Sequence, residues 1–123
     1  MKFSGICLVT GDVLRLTAFY QAALCVQAEG DAEHAEIIMD GASLAIFSDK
    51  GMEGMAPGSM QTAGSGRVTL GFEVEDVDAE YERIKALHVE FVMPPTTHPW
   101  GLRSFWFRDP DGHIIDFFSP VTA

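Results

Sequence analysis

Positive charge is scarce in this sequence: eight lysines and arginines stand against eighteen aspartates and glutamates, a formal net charge of −10 over 123 residues. Nucleic-acid binding needs cations to neutralise backbone phosphates, and adhesion to an anionic membrane needs them too, so neither partner is expected. Cysteine is rarer still. The two present, Cys7 and Cys25, lack metal-ligand spacing and read as reduced thiols of a cytoplasmic protein. Cys7 stands in an apolar run and is expected to be a packed small hydrophobe. No apolar run reaches the roughly 20 residues that span a bilayer, and the first residues do not read as a signal peptide.

What the sequence does contain is concentrated near its end. From Trp100 to Pro120, two runs rich in aromatic and β-branched residues flank Asp109-Pro110-Asp111-Gly112. Proline presets φ for a turn, aspartate bonds nearby backbone, and glycine suits the exit. Leu102–Arg108 and His113–Ser119 are therefore expected to be antiparallel strands. Period-2 alternation puts Ser104 and Trp106 on one face of the first, and Ile114, Asp116 and Phe118 on one face of the second. Asp116 is then a lone carboxylate among large apolar neighbours.

A weaker copy lies upstream. Asp40-Gly41-Ala42-Ser43-Leu44-Ala45-Ile46-Phe47-Ser48 aligns with Asp111-Gly112-His113-Ile114-Ile115-Asp116-Phe117-Phe118-Ser119. Gly11-Asp12-Val13 likewise matches Glu75-Asp76-Val77. The offset is 64 residues at the Asp-Val step and 71 at the Asp-Gly step, so the second copy carries extra chain, expected as a loop at Met93–Gly101. A unit too short to bury its own core must pack on its twin, which makes a duplicated supersecondary unit the main architectural expectation.

In chain order, Phe3–Thr10 reads as a strand. Asp12 then caps a helix through Leu24 whose Val13, Leu16, Tyr20 and Ala23 recur at helical spacing. Val26–Glu29, Glu33–Met39 and Ala42–Ser48 complete a first module, 1–48. Glycines and methionines dominate 49–66, which reads as a linker without regular structure, either passive or a mobile flap. The second module, 67–123, opens with a strand at Arg67–Glu75. In it Thr69, Gly71 and Glu73 share a face opposite Val68, Leu70, Phe72 and Val74. Asp76 caps a helix through Leu87 that carries a Glu82–Lys85 ion pair, and Val89–Val92 is a short strand.

The run Trp-Gly-x-Arg-Ser-Phe-x-Phe-Arg-Asp-Pro-Asp-Gly-His-x-Ile-Asp-Phe, on top of the duplicated strand–Asp-Val–helix–three-strand order, resembles the vicinal oxygen chelate superfamily. That group holds glyoxalase I, extradiol dioxygenases, fosfomycin-resistance enzymes and bleomycin-resistance proteins. The resemblance is specific over Thr69–Asp78 and Pro99–Phe118. It implies an α+β fold of paired βαβββ modules, with eight strands, two main helices and sheets curled into half-open cups. It also implies a homodimer. Catalytic members hold a divalent metal, and their ligand positions fall here on Gly5, Ala45, Thr69 and Asp116. Glycine and alanine cannot ligate and threonine is a poor ligand, whereas catalytic metal sites use about three protein ligands. No metal and no other cofactor is therefore expected.

The resemblance then points to the antibiotic-sequestering branch: a small-molecule ligand, planar or cationic, held without chemistry. Phe47, Trp100, Trp106 and Phe118 are candidate apolar walls, with Thr69, Ser104, Glu73 and Asp116 as polar lining. Trp106 is favoured because it shares a strand face with Ser104, where the fosfomycin branch contacts substrate. Other readings stay open. Glu73 and Asp116 are candidate catalytic carboxylates if two of them share an apolar cleft. Cys7, Glu73 and Asp116 are a candidate displaced metal site for a lyase, isomerase or dioxygenase. Arg103 and His98 are candidates for an anionic group, and a catalytically silent subunit is the remaining class.

Overall fold

The computed structural model describes residues 1–61, 63–64 and 66–121. Among them are β1 (Gly5–Thr10), α1 (Val13–Leu24), β2 (Gln27–Gly30), β3 (His34–Ile38), β4 (Ser43–Ser48), α2 (Asp49–Met55), β5 (Thr69–Glu73), α3 (Val77–Lys85), β6 (Phe91–Thr97), β7 (Leu102–Arg108) and β8 (Ile114–Pro120). The chain divides into two units, Met1–Gly64 and Ser65–Ala123, each with one four-stranded sheet. This is the expected α+β fold of two βαβββ modules, with one more helix than anticipated.

The duplication is visible in the backbone. Asp12 Oδ1 accepts from the Arg15 amide at 3.1 Å, and Asp76 Oδ1 accepts from the Ala79 amide at 3.0 Å, so both long helices start on the same capping device. Each cap satisfies an amide that has no partner within its helix. Asp12→Ala and Asp76→Ala are each expected to cost about 1 kcal/mol, measurable by urea denaturation. Both helices are followed by a non-glycine residue in the left-handed region, Cys25 and His88, each at φ 55°. The two Asp-Gly turns also coincide, with Gly41 at φ 93° and Gly112 at φ 94°.

In the first unit the strand order is β1-β4-β3-β2, with β1 parallel to β4 and the other pairs antiparallel. Helix α1 packs Leu16, Tyr20 and Ala23 against one face, where Leu8, Ala35, Ile37, Leu44 and Ile46 are buried. The second unit repeats this as β5-β8-β7-β6, with α3 against β6, β7 and β8. Its core is aromatic: Phe105, Phe107 and Phe117 are buried, with ring centroids 5.1–5.6 Å apart. On the surface of α3, Lys85 Nζ donates to Glu82 Oε1 at 3.0 Å, as its spacing suggests.

Two stretches differ from the sequence reading. Met93–Gly101 is largely strand, since β6 runs through Pro94 and Pro95 to Thr97. Prolines are tolerated because β6 is an edge strand, and they fall where the β6–β7 register shifts between Met93 and Thr96. The extra residues of the second copy thus lengthen β6 and β7 to seven residues each, against four and five in β2 and β3. The segment after β4 opens with α2, capped by Ser48 Oγ accepting from the Gly51 amide at 2.8 Å. Glu53 then accepts from the amides of Gly58 and Met60 at 2.6 and 3.0 Å, so a carboxylate organises the turn beyond the helix.

Candidate functional site

Alternation and register together decide which side chains meet on the second sheet. The pairs Gly71↔Asp116, Trp106↔Asp116 and Met93↔Trp106 form one row across all four strands. Glu73↔Phe118, Ser104↔Phe118 and Thr96↔Ser104 form the next. Facing residues share a side of a pleated sheet. Both rows therefore project from the face opposite α3, whose own side carries Leu70, Phe105, Ile115 and Phe117. Of the expected lining residues, the structure brings Thr69, Glu73, Ser104, Trp106, Asp116 and Phe118 to this one face.

Two polar atoms on it lack partners. Trp106 Nε1 and Asp116 Oδ1 are both buried, and neither has a neighbour in hydrogen-bond geometry. Burial pushes the Asp116 carboxyl above its usual range. The adjacent indole N–H and then His98 pull the other way without cancelling that effect. The indole is thus near enough to favour the carboxylate while falling short of a formed hydrogen bond. Buried polar atoms left unpaired cost about 1–3 kcal/mol, so this pair is a site of stored cost rather than of stability.

A carboxyl whose folded value is raised destabilises the fold only where it must ionise. That penalty is absent below the unfolded value of about 3.9, grows as pH rises above it, and is complete above the folded value. Asp116→Asn is therefore expected to be more stable than the parent chain at about pH 7, with the difference closing by about pH 4. Urea midpoints at the two pH values check this.

The β6–β7 hairpin supplies His98, which the sequence reading weighed only for anion binding. Its Nε2 lies 2.9 Å from Ser104 Oγ, and its ring stacks on Trp100 with centroids 4.6 Å apart and planes within 6°. Trp100 is 70% exposed, so one indole face meets His98 and the side chain otherwise lies at the surface. His98 stands in a Pro-rich segment whose strand character the sequence hides, and no local signal marks it.

Several sequence expectations change. Arg103 is not available for an anionic ligand beside Ser104: its Nε and Nη2 donate to Asp78 of α3 at 2.9 and 2.7 Å, and its Nη1 donates to Thr97 Oγ1 at 2.9 Å. The same contact holds the Asp78 carboxyl below its ordinary range. The raised Asp116 carboxyl owes its shift to burial rather than to Glu73, which is exposed and stands opposite Phe118. Cys7 is exposed on the face of the first sheet opposite α1 rather than packed. Partial burial and then the Glu36 charge raise its thiol above the ordinary value, which keeps it protonated and a weak nucleophile. Phe47 belongs to β4, with its ring against Gly51 of α2, where an added Cβ would come within 2.6 Å of it.

The residues do not fit the metal that the resemblance implies. A Cβ at Gly5 would lie 2.2 Å from the Ser43 carbonyl oxygen, so no ligand side chain fits there without moving backbone. Ala45 pairs with Cys7 and Glu36 on the first sheet and offers no donor atom. Among the described residues, no three His, Cys, Asp or Glu side chains come together to hold an ion. No helix of the described residues is long and apolar enough to cross a membrane.

With this geometry in place, a family model described as Glyoxalase/Bleomycin resistance protein/Dioxygenase superfamily matches residues 2–117. Among solved structures, a glyoxalase/bleomycin resistance protein/dioxygenase from Nocardioides aligns with TM-score 0.81 and 24% identity, covering 100% of this chain and 85% of that one. A family enzyme from Burkholderia phytofirmans PsJN reaches TM-score 0.87 at 15% identity, over 98% and 100% of the two chains. A protein of unknown function from Agrobacterium tumefaciens str. C58 is 28% identical, with TM-score 0.78 over 98% and 95%. No match is found among curated proteins.

Proposed function

The chain belongs to the glyoxalase/bleomycin resistance protein/dioxygenase superfamily, and from that membership we propose that it binds a planar or cationic small molecule without a metal ion. The ligand rests on the helix-free face of the second sheet, and the protein sequesters it in the manner of an antibiotic-binding protein. One observation carries this reading: a half-buried carboxylate, Asp116, stands beside the Trp106 indole with an unpartnered buried atom on each. A cation or N–H donor from a ligand offsets the desolvation of Asp116, and an aromatic surface rewards a flat or charged partner by about 0.5–2 kcal/mol per contact. Charge supports the same choice. Glu73 and Asp116 occupy this face, and the guanidinium of Arg108, opposite Ile114, is already committed to Glu90 Oε2 and the Gly112 carbonyl, each at 2.7 Å.

Tryptophan fluorescence titrated with proflavine, ethidium and methylene blue tests the reading. Saturable quenching is expected, and a flat response to all three overturns it. Elemental analysis of protein purified without chelators decides the metal question separately: stoichiometric zinc, iron, nickel or manganese would replace this reading with a metal-dependent lyase or dioxygenase. The resemblance also supports a homodimer, which sedimentation velocity would detect as a species of twice the chain mass, and the two unpaired cysteines support a cytoplasmic location.

A further inference from the structure

Resting on that reading, we propose that Gly71 is the specificity-determining residue of the ligand face, the open position over which the edge of a flat N–H-bearing cation reaches Asp116. Three glycines belong to strands: Gly5 opens β1, Gly30 ends β2, and Gly71 lies inside β5. Two of them are forced. An added Cβ would lie 2.2 Å from the Ser43 carbonyl oxygen at Gly5, and 2.1 Å from the His34 carbonyl oxygen at Gly30. Gly71 is different. Its φ is not in the left-handed region, and a Cβ there would meet only Phe118 Cε1, at an ordinary 3.5 Å. A glycine inside a strand weakens it and often marks close approach by a ligand or another chain. Neither the backbone conformation nor the packing of this strand explains it.

Its place in the register supplies the reason. Gly71 is paired with Asp116, which is paired in turn with Trp106, so the missing side chain belongs to the same cross-strand row as the carboxylate, with only the Phe118 ring within 4 Å of its place. The flanking residues on β5, Thr69 and Glu73, are exposed and polar. A side chain at position 71 would stand level with Asp116 and shield it from one flank. Without one, a planar group lies flat over the β5 backbone, points an N–H at the carboxylate, and contacts the Phe118 edge. Methylene blue, a flat cation with no N–H, can use the charge and the surface but cannot donate the hydrogen bond.

The test uses the full chain, its Gly71→Ala variant and isothermal titration calorimetry with proflavine and methylene blue. Gly71→Ala is expected to fold with an unchanged or higher thermal midpoint, because alanine suits this backbone and limits the unfolded chain. Its affinity for proflavine is expected to fall about tenfold or more, since one added methyl in a fitted contact is felt at that scale. The parent chain should also prefer proflavine to methylene blue, and the substitution should shrink that preference. Equal proflavine affinity in parent and folded variant overturns the role of Gly71 while leaving the ligand face intact. A loss of affinity accompanied by a changed association state also overturns it, because position 71 would then serve an interface. Absence of saturable proflavine binding by the parent chain overturns this inference together with the reading beneath it.

Discussion

Asp109→Ala should lower the stability of the chain by about 3–5 kcal/mol, the largest effect expected of any single substitution considered. The Asp109 side chain is buried, at 4% residue exposure, and organises the whole β7–β8 turn. Its Oδ1 accepts from the amides of Asp111 and His113, both at 2.9 Å, while its Oδ2 lies 2.7 Å from His113 Nδ1. The backbone closes the same turn, with the Asp109 amide donating to the His113 carbonyl at 2.9 Å and the Gly112 amide to the Asp109 carbonyl at 3.0 Å. Removing the carboxylate strands two amides and an imidazole in a place where water has little access. Total stability of small domains is only about 5–15 kcal/mol, so much of it is at stake. Urea denaturation followed by circular dichroism measures the loss. Asp111→Ala is the control: that side chain holds no such position, and a change within about 0.5 kcal/mol is expected. Comparable losses from both variants would refute the account.

Asp116→Asn should weaken proflavine binding about thirtyfold or more, a loss of roughly 2 kcal/mol, as expected when one partner of a desolvated charge contact is removed. The substitution keeps the side-chain shape and removes the charge. Because the same variant is expected to gain stability at about pH 7, the two measurements should move in opposite directions, the pattern of a group retained for binding at the expense of the fold. Calorimetry and urea midpoints on one preparation give both numbers. An Asp116→Asn protein that is less stable and binds as before would place this carboxylate in a structural role. Trp106→Phe separates the indole N–H from the aromatic surface, since it keeps a ring and removes the donor.

Much of the second unit could be read in the sequence because its signals are local. Asp-Pro-Asp-Gly between two aromatic runs announced the β7–β8 hairpin, and period-2 alternation placed Ser104 and Trp106 together and Asp116 with Phe118. The duplicated Asp-Val and Asp-Gly steps announced two modules, and the matching caps and turn dihedrals follow from them. Apart from the local helix α2, which Ser48 caps, three of the readings that changed depended on distant neighbours. Pro94 and Pro95 suggested a loop, and only the position of β6 at a sheet edge makes them compatible with a strand. Arg103 looked free, and only the docking of α3 brings Asp78 to it. Cys7 looked buried by its apolar flanks, whereas it lies on the face of the first sheet opposite α1, where it is exposed.

By itself the sequence determined what short-range dihedral limits and side-chain periodicity control: the type of most elements, the Asp-Gly turns, which residues of one strand share a face, and the lack of ligating atoms at Gly5 and Ala45. Tertiary structure alone decided what strand pairing and burial control. The parallel β5–β8 register sets Gly71 beside Asp116, and the burial of Asp116 next to Trp106 raises its carboxyl. A residue's own face is fixed by its backbone, but its cross-strand neighbour and its access to water depend on chain segments dozens of residues away.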